Sequence, residues 1–260
     1  MSTEPHSTPI RFLRQADGSI GRIVLDRPKA NVLDEAMIGA IRHQLHELRG
    51  DRALKLVVFE GAGRHFSFGA SVEEHLPGRV RNMLPAFHQM FVDIEELGVP
   101  TAAVVRGQCL GGAAELATWC GRVFCDPSAR IGFPEIKLGV FPPVACMALR
   151  WRMAGSRGTE LVISGRSLPG PDAVAAGLAD DCSDDPEAAL QAWFDRHIAP
   201  LSPASLGFSW RASRRPMARA LGEELPALER LYLDELMNHP DPTEGLHAFL
   251  EKRPPSWSRA

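Results

Sequence analysis

The 260-residue chain lacks the marks of several function classes. It has no HExxH run and no Cys/His cluster at metal-binding spacing, so no metal site is expected. No GxSxG elbow, Walker A loop or GxGxxG after a strand occurs, which removes three common catalytic schemes. No uncharged stretch approaches about 18 apolar residues, so no membrane-spanning helix is expected. The opening "MSTEPHSTPIRF" lacks the apolar core of a signal peptide, and a cytoplasmic protein is expected. The five cysteines are an odd number without a CxxC pair. Four of them sit in apolar settings and are expected to be buried thiols in a reducing compartment. A net charge of −3 and a pI near 6.3 argue against a general nucleic-acid binder. They leave room for a local basic pocket holding a small phosphorylated ligand.

What is present is a regular alternation. Residues 10–27 suggest two short strands around Asp17-Gly18, and a helix starts near Asp34, its apolar positions at Met37, Ile38, Ile41, Leu45 and Leu48. "ALKLVVFEGAG" predicts a buried strand, Phe87 to Leu97 a helix ending before Pro100, and "TAAVVRG" and "RVFCD" further strands. Strand and helix in turn favour an α/β fold with mostly parallel pairing. Beyond about residue 185 every segment looks helical. The last helix is expected to open with Asp241 as N-cap, Pro242 in the first turn and Glu244 as capping-box acid.

Three segments carry candidate chemistry. "GRHFSFGASVEEH" (63–75) follows a strand and contains the Gly69-Ala70-Ser71 turn; His65 and His75 flank it as loop residues. "RGQCLGGAAELATWC" follows another strand, and Glu115 is the only charge between Arg106 and Arg122. "ARIGFPEIKLGVFPP" holds Glu135 among aromatic, proline and glycine residues. Small residues after strands let main-chain N–H groups approach a ligand, and two such turns can aim two donors at one oxygen. Gly112 would open a helix, with Glu115 three residues later on the same side. Alone, a glutamate there also caps a helix, and Glu135 also has Lys137 or an arginine as an ion-pair partner. Taken singly, the two residues leave both readings open.

Taken in this order, they resemble the crotonase (enoyl-CoA hydratase/isomerase) superfamily, from "IVLDRPKANVLDEAM" to "FLEKRPPSW". The resemblance implies a ClpP-like spiral of repeated ββα units over residues 1–200 and a helical trimerisation region over 201–260. It implies a coenzyme A thioester substrate, no separate cofactor, and a homotrimer or a hexamer built as a dimer of trimers. It places neither nucleic acid nor membrane among the partners. By the same resemblance Ala70 and Gly112 supply the oxyanion-hole amides, and Glu115 and Glu135 stand where the hydratases have their two catalytic glutamates. Lys29, Ala30, Val32, Phe68, Ser71 and Val72 fall where the family's chain wraps CoA. Phe249 and Lys252 match positions that often reach CoA across a subunit interface.

The sequence also departs from the family pattern. Ser71 stands where most relatives have aspartate, Ala113 replaces a glycine, and Phe141, Pro142 and Pro143 replace a glycine-rich run at the acyl end. "FSFGASVEEH" and "PEIKLGVFPPVA" are most similar to the cyclohexa-1,5-diene-1-carbonyl-CoA hydratases of aromatic degradation. That implies a lyase adding water to a conjugated cyclic dienoyl-CoA through an enolate. The competing readings are another hydratase, dehydratase or isomerase of the superfamily, and a non-catalytic acyl-CoA- or RNA-binding relative.

Overall fold

The computed structural model describes residues 8–27 and 29–258. Strand β1 (Ile10–Gln15) and strand β2 (Ile20–Leu25) form an antiparallel hairpin, and helix α1 (Glu35–Glu47) follows. The Asp34 carboxylate caps α1 by accepting from Met37 N at 2.9 Å. Strand β3 (Leu56–Gly61) leads to helix α2 (Val80–Leu97), which ends on Gly98 in the left-handed region. Two complete ββα units come next. Strands β4 (Thr101–Val105) and β5 (Gln108–Leu110) precede helix α3 (Gly112–Trp119). Strands β6 (Arg122–Cys125) and β7 (Arg130–Gly132) precede helix α4 (Pro143–Ala148). Then come helix α5 (Arg157–Ser164), strand β8 (Ser167–Pro169), helix α6 (Gly170–Ala176), strand β9 (Asp181–Cys182) and helix α7 (Pro186–His197).

The first strand of each unit enters one six-stranded sheet, ordered β1-β2-β3-β4-β6-β9 and parallel from β2 onward. The second strand enters a smaller sheet, ordered β5-β7-β8. Isolated parallel bridges, Leu33 with Ala70 and Ser67 with Cys109, extend that second layer to the first two units. This stepping from sheet to sheet is the spiral that the resemblance implied. Central β3 shows why its sequence is an unbroken apolar run. Val57 and Phe59 enter the main core, while Leu56 and Val58 pack under Leu190 and Phe194 of α7.

The C-terminal region is helical, as anticipated: α8 (Pro203–Glu223), α9 (Leu225–Arg230) and α10 (Pro240–Leu250). Between α9 and α10 the chain makes one π-helical turn, Leu231–Glu235. Arg214 of α8 ties this region to the core, pairing with Glu95 at 2.6 Å and donating to Trp119 O.

Two expectations are corrected. Helix α10 begins at Pro240, two residues earlier than expected, with His239 rather than Asp241 at its N-cap and no side-chain cap. Asp241 and Glu244 instead accept from the main-chain N–H of Ser258 and Ser256, and Glu244 also pairs with Arg253. They fold the terminal segment back onto α10. Of the cysteines, three rather than four are buried: Cys182 is half-buried, and Cys146 is exposed because its α4 position points outward.

Candidate active site

A cavity of about 740 Å³ opens where the second-layer turns meet α2 and the C-terminal region. Its floor is set by the bridges. Leu33 N donates to Gly69 O and Ser71 N donates to Leu33 O, so the intervening Ala70 amide points the other way. The neighbouring turn lies against it. A Cβ on Gly69 would stand 2.5 Å from Leu110 O, and one on Gly112 would stand 3.4 Å from Ala70 Cβ. Gly112 is the first residue of α3, where the N–H has no intrahelical acceptor. Among the described residues, neither the Ala70 nor the Gly112 amide donates to a carbonyl in the loops and turns. Both residues line the cavity. Both amides are thus left without a main-chain acceptor at one wall, and two such donors aimed at one oxygen can stabilise negative charge on it.

Glu115 is 3% exposed on a helix buried at every position. It does not cap its own helix. Its Oε1 accepts from Ala145 N at 2.8 Å, in the first turn of α4. Pro142, the N-cap of α4, has no side-chain acceptor, so Glu115 supplies one from another element. Burial pushes Glu115 up to about 7 even though the Ala145 and Val144 amides favour its ionised form.

Glu135 sits on a 3-10 turn, Pro134–Leu138. Its Oε1 rests against Gly111, where a Cβ would be 2.7 Å away, and its Oε2 is buried without a partner. Burial first, and the nearby charge of Glu115 second, raise this carboxyl well above the ordinary range. It is not among the ion pairs of the described residues, so Lys137 does not neutralise it. The two carboxyls therefore influence each other's titration.

The residues named from the sequence largely converge. Ala30, Val32, Phe68, Ala70, Ser71, Val72, Gly112, Glu115, Glu135, Phe141 and Phe249 all line the cavity. Asn31, at φ +47, holds Ala30 and Val32 in place by donating to Ala62 O, His65 O and Phe66 O, each at 3.1 Å. Ser71 fixes the next turn through its carbonyl, which accepts from His75 Nδ1 at 2.7 Å. Burial lowers the pKa of His75, which lines the cavity.

Two assigned cations fall outside. Lys29 and Lys252 are exposed and do not line the cavity; Lys137 and Arg253 do. Lys252 takes φ +56 as α10 ends, and the next residue, Arg253, pairs with Glu244 and Glu251 at the rim of the cavity. The C-terminal segment also reaches this cavity within the single chain. Gly245, Ala248 and Phe249 line the cavity of their own chain. Gly245 makes this possible, because a Cβ there would stand 2.3 Å from Leu138 O. Three further residues line the cavity: His75, which the sequence marks only as a loop residue beside the turn, and Phe87 and Tyr232, which it does not single out for the site. Phe87 carried only a core-helix signal, although its ring lies 3.0 Å from where a Cβ on Gly112 would be.

Among the described residues, no group of His, Cys, Asp and Glu is placed to hold a metal ion, and no helix is long and apolar enough to cross a membrane.

Comparison with known proteins agrees with this geometry. The sequence profile described as enoyl-CoA hydratase/isomerase matches residues 15–260. The cyclohexa-1,5-dienecarbonyl-CoA hydratase of Thauera aromatica is 44% identical over 251 residues, covering 96% of this chain and 97% of that protein. The 2,3-dehydroadipyl-CoA hydratase of Escherichia coli K12 is 32% identical, covering 90% of this chain and 93% of that protein. Among solved structures, an enoyl-CoA hydratase/isomerase from Xanthobacter autotrophicus Py2 superposes with a TM-score of 0.82 at 26% identity, over 94% of this chain and 93% of that one. An enoyl-CoA hydratase from Mycobacterium avium subsp. paratuberculosis K-10 shares the fold, with a TM-score of 0.84 at 23% identity, over 96% of this chain and 98% of that one. By fold, profile and relatives, the chain belongs to the enoyl-CoA hydratase/isomerase family of the crotonase superfamily.

Proposed function

We propose that this hydratase-type enzyme adds water to a conjugated cyclic dienoyl-CoA thioester, cyclohexa-1,5-diene-1-carbonyl-CoA. The observation that carries the proposal is the pair of buried carboxyls, Glu115 and Glu135, beside two free main-chain amides. The thioester oxygen would lie between the Ala70 and Gly112 N–H groups, which stabilise the charge it gains as water adds. Glu115, the more readily ionised of the two, takes the proton from water. Glu135, held protonated by burial and by its neighbour's charge, returns a proton to carbon. CoA is part of the substrate, and this chemistry uses no further cofactor. Ala30, Val32, Phe68 and the Ser71-Val72 turn would flank the CoA arm, with Lys137 and Arg253 as the cations nearest its phosphates.

Two features support a flat ring as the acyl group. The T. aromatica hydratase is the relative of 44% identity. The acyl end is walled by the packed rings of Phe141 and Tyr232, 5.3 Å apart, on backbone stiffened by Pro142 and Pro143. The exposed apolar side chains of the 201–260 region, Phe208 at 69% among them, support its role in assembling a trimer or hexamer. A panel of CoA esters tests the substrate. The cyclic dienoyl ester should be hydrated with a much higher kcat/KM than crotonyl-CoA; a linear enoyl-CoA as the better substrate would overturn the cyclic reading.

A further inference from the structure

The chain has one tyrosine, Tyr232. It is fully buried, it lines the cavity, and its ring packs at 59° on Phe141. Its hydroxyl has no hydrogen-bond partner, and Glu135 Oε2, in the same cavity, has none either. The residue sits on a π-helical turn, Leu231–Glu235, an irregularity that is frequent at functional sites. Packing alone would be served better by phenylalanine, which fills the same space without an unpaired hydroxyl. The groups facing the phenol are Glu135 and Glu115; burial and their charges raise its pKa well above the ordinary value, so it is a donor at any working pH.

The donor needs an oxygen. The thioester oxygen is already served by the Ala70 and Gly112 amides. The other oxygen in the reaction is that of water, which must stand beside the two glutamates. We propose that the Tyr232 O–H donates a hydrogen bond to this oxygen, which is water before addition and the new ring hydroxyl afterwards. The inference rests on the hydration reading above. Water has two lone pairs and two protons. One lone pair forms the C–O bond, one proton passes to the Glu115 carboxylate, and Glu135 gives its own proton to carbon. The second lone pair remains, and Tyr232 fixes its direction, which orients the first towards carbon. In the dehydration direction the same bond stabilises the departing hydroxyl.

The test is Tyr232→Phe, with affinities measured for two probes: the hydrated CoA-ester product and cyclohexanecarbonyl-CoA, which lacks the hydroxyl. The variant should bind the hydrated product about 5- to 10-fold more weakly, with the cyclohexanecarbonyl ester within about twofold of wild type. Its kcat/KM for hydration should fall about tenfold or more, and its Tm should stay level or rise. Because Tyr232 is the sole tyrosine, fluorotyrosine incorporated in the wild-type chain gives one ¹⁹F signal. That signal should move further with the hydrated product than with the cyclohexanecarbonyl ester. Equal weakening of both esters would reduce Tyr232 to a packing role, and unchanged binding and turnover would remove it from the site. An inactive wild type that still discriminates the two esters through Tyr232 would overturn the hydration reading and leave this contact standing.

Discussion

The main-chain N–H of Ala145 donates to Oε1 of Glu115 across 2.8 Å, joining the first turn of α4 to the middle of α3. The bond gives the buried carboxylate one strong partner and gives α4 the cap that Pro142 does not provide. It also fixes the Phe141-Pro142-Pro143 loop relative to Glu115, so the acyl wall and the proposed base move as one unit. Replacing this loop with a glycine-rich segment should therefore do two things. It should narrow the preference for cyclic over linear CoA esters, a discrimination on the order of 1–3 kcal/mol per misplaced group. It should also lower kcat on both, because the Ala145 amide loses its fixed position. Steady-state kinetics on the two ester classes check both effects.

Stability should depend on pH through the same carboxyl. Burial raises Glu115 from 4.5 to about 7 in the folded chain. Between those values the folded state holds a proton that the unfolded state has released, so stability falls as pH rises through this window. Glu115→Gln keeps an oxygen for the Ala145 amide and removes the titration. The variant should be more stable than wild type above pH 7, by on the order of 2–3 kcal/mol, with the difference gone near pH 4. Urea unfolding at pH 4.5 and pH 8 measures it.

Turnover should follow a bell-shaped pH profile, because the pair works with one proton between the two carboxyls. Acid protonates both and leaves no base; alkali strips both and leaves no acid. The alkaline limb should disappear in Glu135→Gln, which removes the acid, while the acid limb set by Glu115 remains. A profile flat from pH 5 to 9 in the wild type would contradict the shared proton.

Gly111 takes φ +55 and ψ −131, a conformation open to glycine alone, and it carries the Glu135 carboxylate against its open side. Gly111→Ala should lower Tm and cut kcat/KM by at least about tenfold, through displacement of Glu135. Gly50→Ala, at φ +79 with open space around it, is the control: it should lose stability without losing turnover.

The sequence made the strand–helix alternation legible because the long strands are buried on both faces, as Val57, Val58 and Phe59 show; the spiral itself followed from the family resemblance. It marked Glu115 by isolation, as a single charge in an apolar helix. The short strands β5, β7 and β8 left no trace, since three residues carry no periodicity. Tyr232 was silent for another reason: a π-turn has no composition of its own, and "LERLYLDEL" has the look of ordinary amphipathic helix. Arg253 and Lys252 are neighbours with the same charge, which the sequence alone does not tell apart, and of the two Arg253 lines the cavity. Arg253→Ala should accordingly weaken CoA-ester binding in a salt-sensitive way, while Lys252→Ala leaves it unchanged; affinities at low and high salt separate them.

The most direct test of the account is the hydration rate of Glu115→Gln and Glu135→Gln beside their affinity for a saturated CoA ester. Each variant should fold, bind the saturated ester as wild type does, and lose about 10²–10⁴-fold in kcat. Full hydration activity in either variant would contradict the two-glutamate site.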